Sequence, residues 1–432
     1  MKPLYDKICE YVAKNPARFH MPAHFGTGDN PLFSSAKYDV TELDFSDNLQ
    51  NPTGAILESE KECAKTYGAK NCFYLTSGST TGVFIAMSAI RNRTDEIIVA
   101  RSSHKSVYAA ARTLGFKVRY IPSSFDKNGI PLPVTEKDVE TALEQYPSAG
   151  ACVITSPNYF GMTADAKSIS TLVKKSGKIL FVDEAHGAHF PFSEHFEKGF
   201  SGFSDISVTS FHKTLPVYSG GAALFCNNDT LTDDLLRLRA DLHTTSPCYL
   251  TLASMDYSID ERRISGEEKY ENLFEKVKKV NLLKEKLPLE IIKNDDFTRL
   301  VVRCGDNGFS ALRSKNVVPE MTFYDLAVFI LSPENEERID DIYDALKDVK
   351  CESAREIPPL PAPVFKKVTG GGAYLPLHDA IGHVSLGEVG TYPPGIPVVA
   401  YGEVITENIA DFLKDRDVFG FVNGRLYVTI DK

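Results

Sequence analysis

Lys178-Ile179-Leu180-Phe181-Val182-Asp183-Glu184-Ala185-His186 is an apolar run that closes on a carboxylate, and thirty positions beyond Asp183 comes Thr209-Ser210-Phe211-His212-Lys213-Thr214-Leu215. The first run predicts a buried strand ending in Asp183. The second places a lysine beside small hydroxyl residues just past another strand. Together they have the layout of a site for pyridoxal 5′-phosphate (PLP). The lysine supplies the amine for a Schiff base, and the carboxylate keeps the pyridine nitrogen protonated so that the ring accepts electrons. Lys105 is a rival amine, but it lies in the first half of the predicted sheet, away from Asp183.

Working outward, strand patterns recur at residues 96–100, 117–121, 150–155, 206–210 and 222–226, with helical patterns at 79–91, 135–146 and 164–176. This alternation predicts an α/β fold, a mostly parallel sheet covered by helices. Such sheets bind ligands beyond the carboxyl ends of their strands, where Asp183 and Lys213 fall. Residues 1–54 read as a short helix stopped by Asn15-Pro16 and then an irregular N-terminal arm, residues 55–265 as the large domain, and residues 266–432 as a smaller C-terminal α/β domain.

Leu75-Thr76-Ser77-Gly78-Ser79-Thr80-Thr81-Gly82 precedes a predicted helix. Its hydroxyls and free N–H groups suit a phosphate, because helix dipole and donors both favour an anion. In isolation a plain Ser/Thr N-cap would read the same. Ser210 and His212 could close the cup from another strand end. His104 follows the strand at 96–100, where it could lie flat on a cofactor ring or serve as an ordinary loop residue. Asp183 through His189 invites a metal reading, but no third cluster completes a ligand set. His20 and His24 are separated by Pro22, which prevents one regular helix from presenting both rings. We therefore expect no metal site.

The chain has 432 residues, 43% hydrophobic and 25% charged, with a formal charge of −10. That balance predicts a soluble protein and gives no electrostatic reason to expect nucleic acid or an anionic membrane. No apolar stretch approaches the roughly 20 residues that span a bilayer, and the charged start does not resemble a signal peptide. The eight scattered cysteines, with no Cys-x-x-Cys pair, fit reduced thiols and a cytoplasmic location.

Several motifs together resemble the bacterial ornithine/lysine/arginine decarboxylase family of PLP fold type I. They are His20-Met21-Pro22-Ala23-His24, Asp47-Asn48-Leu49-Gln50-Asn51-Pro52-Thr53-Gly54, the run from Ser77 to Gly82, Ser103-His104-Lys105-Ser106, Ser156-Pro157-Asn158-Tyr159-Phe160-Gly161, the runs around Asp183 and Lys213, Ser246-Pro247-Cys248-Tyr249-Leu250, and Tyr392-Pro393-Pro394-Gly395-Ile396-Pro397. The resemblance implies the family's short form, with no domain ahead of the PLP domain. It makes Lys213 the Schiff-base lysine and Asp183 the partner of the pyridine nitrogen. His104 and Ala185 would face the ring from opposite sides, with His186 also at the cofactor, and Ser79, Thr80, Ser210 and His212 would hold the phosphate. It implies a homodimer with active sites at the interface, Glu403 reading the substrate's distal amino group, and decarboxylation of lysine, arginine or ornithine toward polyamines. An aminotransferase or lyase reaction, or a non-catalytic PLP-binding protein, are the alternatives.

The chain departs from the family's usual Met-Pro-Gly-His-Lys-Gly-Gly at Met21-Pro22-Ala23-His24-Phe25-Gly26-Thr27. It also has Gln50 for a usual histidine, Pro216-Val217-Tyr218-Ser219 after Lys213, Pro361-Ala362-Pro363 where an arginine is common, and Tyr401 ahead of Gly402-Glu403. The cofactor residues fit the family, while residues near the substrate mouth differ.

Overall fold

The computed structural model describes residues 1–24, 34–282, 289–350, 363–368, 370–391, 395–414 and 418–430. Seven strands form its main sheet: β1 (Asn71–Leu75), β2 (Glu96–Ala100), β3 (Lys117–Ile121), β4 (Ala151–Thr155), β5 (Ile179–Asp183), β6 (Ile206–Thr209) and β7 (Ala222–Cys226). Their order is β1-β7-β6-β5-β4-β2-β3. Strands β2 through β6 pair in parallel, whereas β7 runs antiparallel to both its neighbours, β6 and β1. The mostly parallel sheet was expected; β1 and the reversed β7 were not.

Helices cover both faces. They are α1 (Pro3–Ala13), α2 (Ala55–Thr66), α3 (Ser79–Arg91), α4 (Lys105–Thr113), α5 (Glu136–Gln145), α6 (Ala166–Lys175), α7 (Asp229–Leu242) and the long α8 (Tyr249–Leu282). Side chains alternate across each strand. Leu180 and Val182 of β5 pack with Val139 of α5 and Ile169 and Val173 of α6, whereas Phe181 joins Val83 and Met87 of α3. Ala223 and Phe225 of β7 face the side that holds Leu4 and Ile8 of α1 and Leu252 and Met255 of α8. The start of α1 is tied to α8 by Asp256, which accepts the Leu4 and Tyr5 N–H groups at 3.0 Å each.

The expected boundary at residue 265 falls inside α8, which runs unbroken across it. Beyond α8, strands β8 (Glu290–Ile292), β9 (Arg299–Arg303), β10 (Met321–Phe323) and β11 (Leu326–Ile330) make an antiparallel sheet ordered β10-β11-β9-β8. Helices α9 (Gly305–Ser314) and α10 (Ile339–Leu346) pack on one face of it through Leu312, Ile342 and Leu346 against Leu300, Val302 and Phe329. The other face, Val301 and Val328, meets Phe160 and Ile130 of the large domain. Further on, two three-stranded sheets and α11 (Glu407–Leu413) enclose a separate small core around Val389, Ile405 and Leu426.

Candidate active site

The carboxyl ends of β2, β4, β5 and β6 converge on a cleft of about 330 Å³. It is lined by Ser79 and Thr80 at the start of α3, His104 beyond β2, Thr155 closing β4, Asp183 closing β5, Ala185 and His186 just after it, and Ser210, His212 and Lys213 beyond β6. Every residue expected at the cofactor therefore lines a single cavity. Helix α3 approaches the sheet closely because residue 82 is glycine. A Cβ there would stand 2.6 Å from Val208 and 2.8 Å from Leu75. The preceding turn uses Gly78 at φ +82°, a conformation open chiefly to glycine, so that α3 starts with its N–H groups at the cavity.

Lys213 ends a 3₁₀ turn, Phe211–Lys213, and its Nζ lies 3.1 Å from His186 Nε2, to which it donates. Burial lowers the Lys213 pKa, against the pull of Asp183. Asp183 is 4% exposed; burial raises its pKa, while Lys213 and the Ala185 N–H (3.2 Å) oppose the rise. His186 is held well below its ordinary pKa, first by burial and then by the Lys213 charge, so its imidazole is neutral and can accept that bond. His104 caps α4: its Nδ1 accepts from the Ser106 N–H at 3.2 Å. Burial, with Lys213 and Lys105 nearby, brings its pKa to about 4, so it too is neutral near pH 7. Ser210 and His212 are mutually bonded at 3.2 Å, and His212 Nδ1 also reaches the Gly221 carbonyl oxygen at 3.1 Å.

The chain matches the model of the Orn/Lys/Arg decarboxylase major domain over residues 2–301 and that of the Orn/Lys/Arg decarboxylase C-terminal domain over residues 350–420. The chain belongs to the Orn/Lys/Arg decarboxylase family. An uncharacterized protein, YaaO, of Bacillus subtilis is 30% identical, with 94% of this chain and 92% of that protein covered. The arginine decarboxylase of the same species is 27% identical, covering 96% and 94%. The structure of the Francisella novicida lysine decarboxylase aligns with a TM-score of 0.80 over 99% of this chain and 81% of its own, at 18% identity. The fold is thus fold type I, as the motifs implied.

This family member places Glu403 differently from the other expected residues. Its side chain is fully buried, receives Arg101 Nη2 on both oxygens at 3.0 and 3.2 Å, and accepts the Ala400 N–H at 3.0 Å. It does not line the cleft. Arg101 also donates to the carbonyls of Pro397 and Val398, and the Lys105 N–H donates to Gly395, so these bonds fasten the C-terminal segment to the edge of the site. Ile396 reaches the cleft wall; residues 392–394 of that motif, like 25–27 and 361–362, lie outside the described residues.

Further groups at or behind the site were not singled out from sequence. Thr155 and Tyr159 line the cleft. Behind it, Asp296 pairs with His189 at 3.2 Å, both 1% exposed. Burial alone would raise the Asp296 pKa, but His189, Arg299 and Thr298 hold it at about 2. Arg299, 3% exposed, donates to Thr298 Oγ1 at 3.2 Å and to the His186 carbonyl at 3.5 Å, bracing the loop that follows Asp183 from β9. Tyr159 stands within the motif Ser156–Gly161 that carried the family resemblance, but Asp296 and Arg299 carry no local signal. Among the described residues, one group of possible metal ligands, His195 with Glu267 and Glu271, comes within 4.8 Å, and it lies outside the cleft lining.

Proposed function

We propose that the protein decarboxylates a basic amino acid (lysine, arginine or ornithine) using PLP held by Lys213. The single supporting observation is that Lys213 and Asp183 share one cavity with a hydroxyl-rich helix N-terminus. The residues fit the cofactor: Thr155 Oγ1 and His186 Nδ1 are buried polar atoms with no partner among the described residues, and both residues line this cavity. A buried polar atom left unpaired costs about 1–3 kcal/mol, so such atoms mark where a polar ligand belongs. Lys213 would hold the cofactor covalently, Asp183 its ring nitrogen, and Ser79, Thr80, Ser210 and His212 its phosphate, with His104 and Ala185 against the ring. When bound, PLP supplies a conjugated sink for the electron pair left at Cα as CO₂ departs.

The protein's own contribution is orientation and proton control. The lowered pKa of Lys213 raises the fraction of its Nζ present as the free amine, the form that reacts with a carbonyl. His104, neutral down to about pH 4, holds no readily released proton. Lys213 Nζ and His104 both line the cavity and are the two candidate donors to Cα. Asp183, in a dry setting, binds a cationic partner far more strongly than it would in water.

The enzyme is proposed to be a homodimer whose product amine enters polyamine metabolism. Exposed Phe19 and Met21 on the N-terminal arm, at 94% and 71%, support a covering second copy. A cytoplasmic location is proposed on the seven described cysteines, all unpaired. The test is a panel of lysine, arginine and ornithine with PLP-loaded protein, reading CO₂ against keto acid. CO₂ release is expected; keto acid without CO₂ would make the enzyme an aminotransferase. Lys213→Ala should lose the lysine-linked absorbance near ~420 nm, and its survival would remove Lys213 from this role.

A further inference from the structure

A basic substrate brings a cation into the cleft, and a cation in a partly dry site needs an anion or a π-face. Among the described residues, several carboxylates stand in or near the cleft, of which Asp296 behind it is paired with His189. Asp183 lies at the cofactor end. Glu184 is turned away and occupied by the Phe200 N–H at 2.7 Å and the Ser201 hydroxyl at 2.6 Å. Glu403 is neutralised by Arg101. Glu320 is different: it is exposed, and its hydrogen-bond partner is the neutral phenol of Tyr159. The Tyr159 ring lies 4.6 Å from the His186 ring inside the cleft.

We infer that Glu320, presented through Tyr159, reads the distal cation of the substrate. The inference rests on the proposed decarboxylase reading and names the residue that would set its substrate class. Glu320 is well placed for this. It immediately precedes β10, and its N–H donates to the Val328 carbonyl of β11 at 2.9 Å, so its backbone is fixed by the small sheet. It also lines a second hollow beside Asn335 and Arg338, while its carboxylate accepts from the Tyr159 hydroxyl. Its negative charge also acts favourably on the Lys213 ammonium, so its field extends to the cofactor amine. Tyr159 contributes a polar tip that orients the carboxylate and a ring face that tolerates a cation.

The experiment compares wild type, Glu320→Gln and Tyr159→Phe, all loaded with PLP. For lysine, arginine, ornithine and the uncharged norleucine, kcat and KM are measured by CO₂ release. Affinity is measured separately by calorimetry, titrating each amino acid into the loaded enzyme. In Glu320→Gln, affinity for the preferred basic amino acid should fall roughly tenfold, the worth of one charge-assisted hydrogen bond. The loss should appear in KM more than in kcat. Norleucine affinity and the lysine-linked absorbance should not move. Tyr159→Phe should show a smaller loss of the same kind. A Glu320→Gln enzyme that keeps full preference for the basic amino acid over norleucine would overturn the inference, as would a wild type that binds both equally. A wild type that binds basic amino acids selectively through Glu320 yet releases no CO₂ would sink the decarboxylase reading alone.

Discussion

Replacing Glu184 with glutamine should flatten the pH dependence of stability. The Glu184 side chain is enclosed, with its two oxygens taken by the Phe200 N–H and the Ser201 hydroxyl. Gly199 fits against it so closely that a Cβ there would lie 2.0 Å from Oε1. Burial pushes the carboxyl from 4.5 up to about 7; Ser201 and Phe200 oppose the rise, and the neighbouring Asp183 adds to it. Between these two values the folded chain keeps a proton that the unfolded chain has released. Stability from this group is therefore fully present below pH 4.5 and is lost as pH rises through 7. The slope is about 1.4 kcal/mol per pH unit, so the interval integrates to roughly 3 kcal/mol. Glutamine keeps the shape: its oxygen can accept from Phe200 and its amide can donate to Ser201. It cannot ionise.

The assay is urea denaturation of both proteins at one concentration, from pH 5 to 8.5. Taking the difference between them cancels groups common to both, including Asp256, which burial raises to about 6. The variant should gain about 2–3 kcal/mol on wild type across the range, nearly all of it below pH 8. Two stability curves that stay parallel would refute the reasoning, because they would mean that Glu184 ionises in the folded protein as easily as in the unfolded one.

Two further substitutions probe the supports of the site. Gly199→Ala should cost about 1–3 kcal/mol by driving a methyl into the Glu184 carboxylate, read as a lowered urea midpoint at pH 6. Arg101→Ala leaves Glu403 buried without its cation, at a cost of about 3–5 kcal/mol. Because Arg101 also holds the Pro397 and Val398 carbonyls, limited proteolysis should cut the variant first near residues 395–405, whereas Glu403→Gln should resist better.

The strands β2, β3 and β7 and the helix α3 were legible residue for residue, since short apolar runs bounded by turn residues and an apolar helical face are local signals. So was the gathering in one cavity of the residues expected at the cofactor, because a parallel sheet brings its carboxyl ends to one edge. The reversed direction of β7 was a different kind of fact. Its signal was the absence of a crossover helix between Thr209 and Ala222, as parallel neighbours need a long crossover and antiparallel ones do not. Strand β1 carried no expectation: Asn71-Cys72-Phe73-Tyr74-Leu75 runs straight into the hydroxyl-rich turn with no breaker between them. Nothing in the chain marked Glu320 among 58 acidic residues. It lies 107 positions beyond Lys213, and only tertiary structure brings it to Tyr159.

The two halves of the site are also held under different constraints. On the proposed cofactor side Asp183 and Ser210 are 4% and 0% exposed, one closing a central strand and the other directly following one. A change there strands a buried partner or charge and costs stability as well as chemistry. On the proposed substrate side Glu320 is exposed and precedes a three-residue strand, and Ile396 leads into the short strand Pro397–Val399, whose backbone carbonyls accept from Arg101 whatever side chains they carry. Substitutions at such positions usually change stability by less than about 0.5 kcal/mol. If the proposed roles hold, the fold can tolerate altered recognition of the distal cation while the surroundings of Lys213 stay as they are.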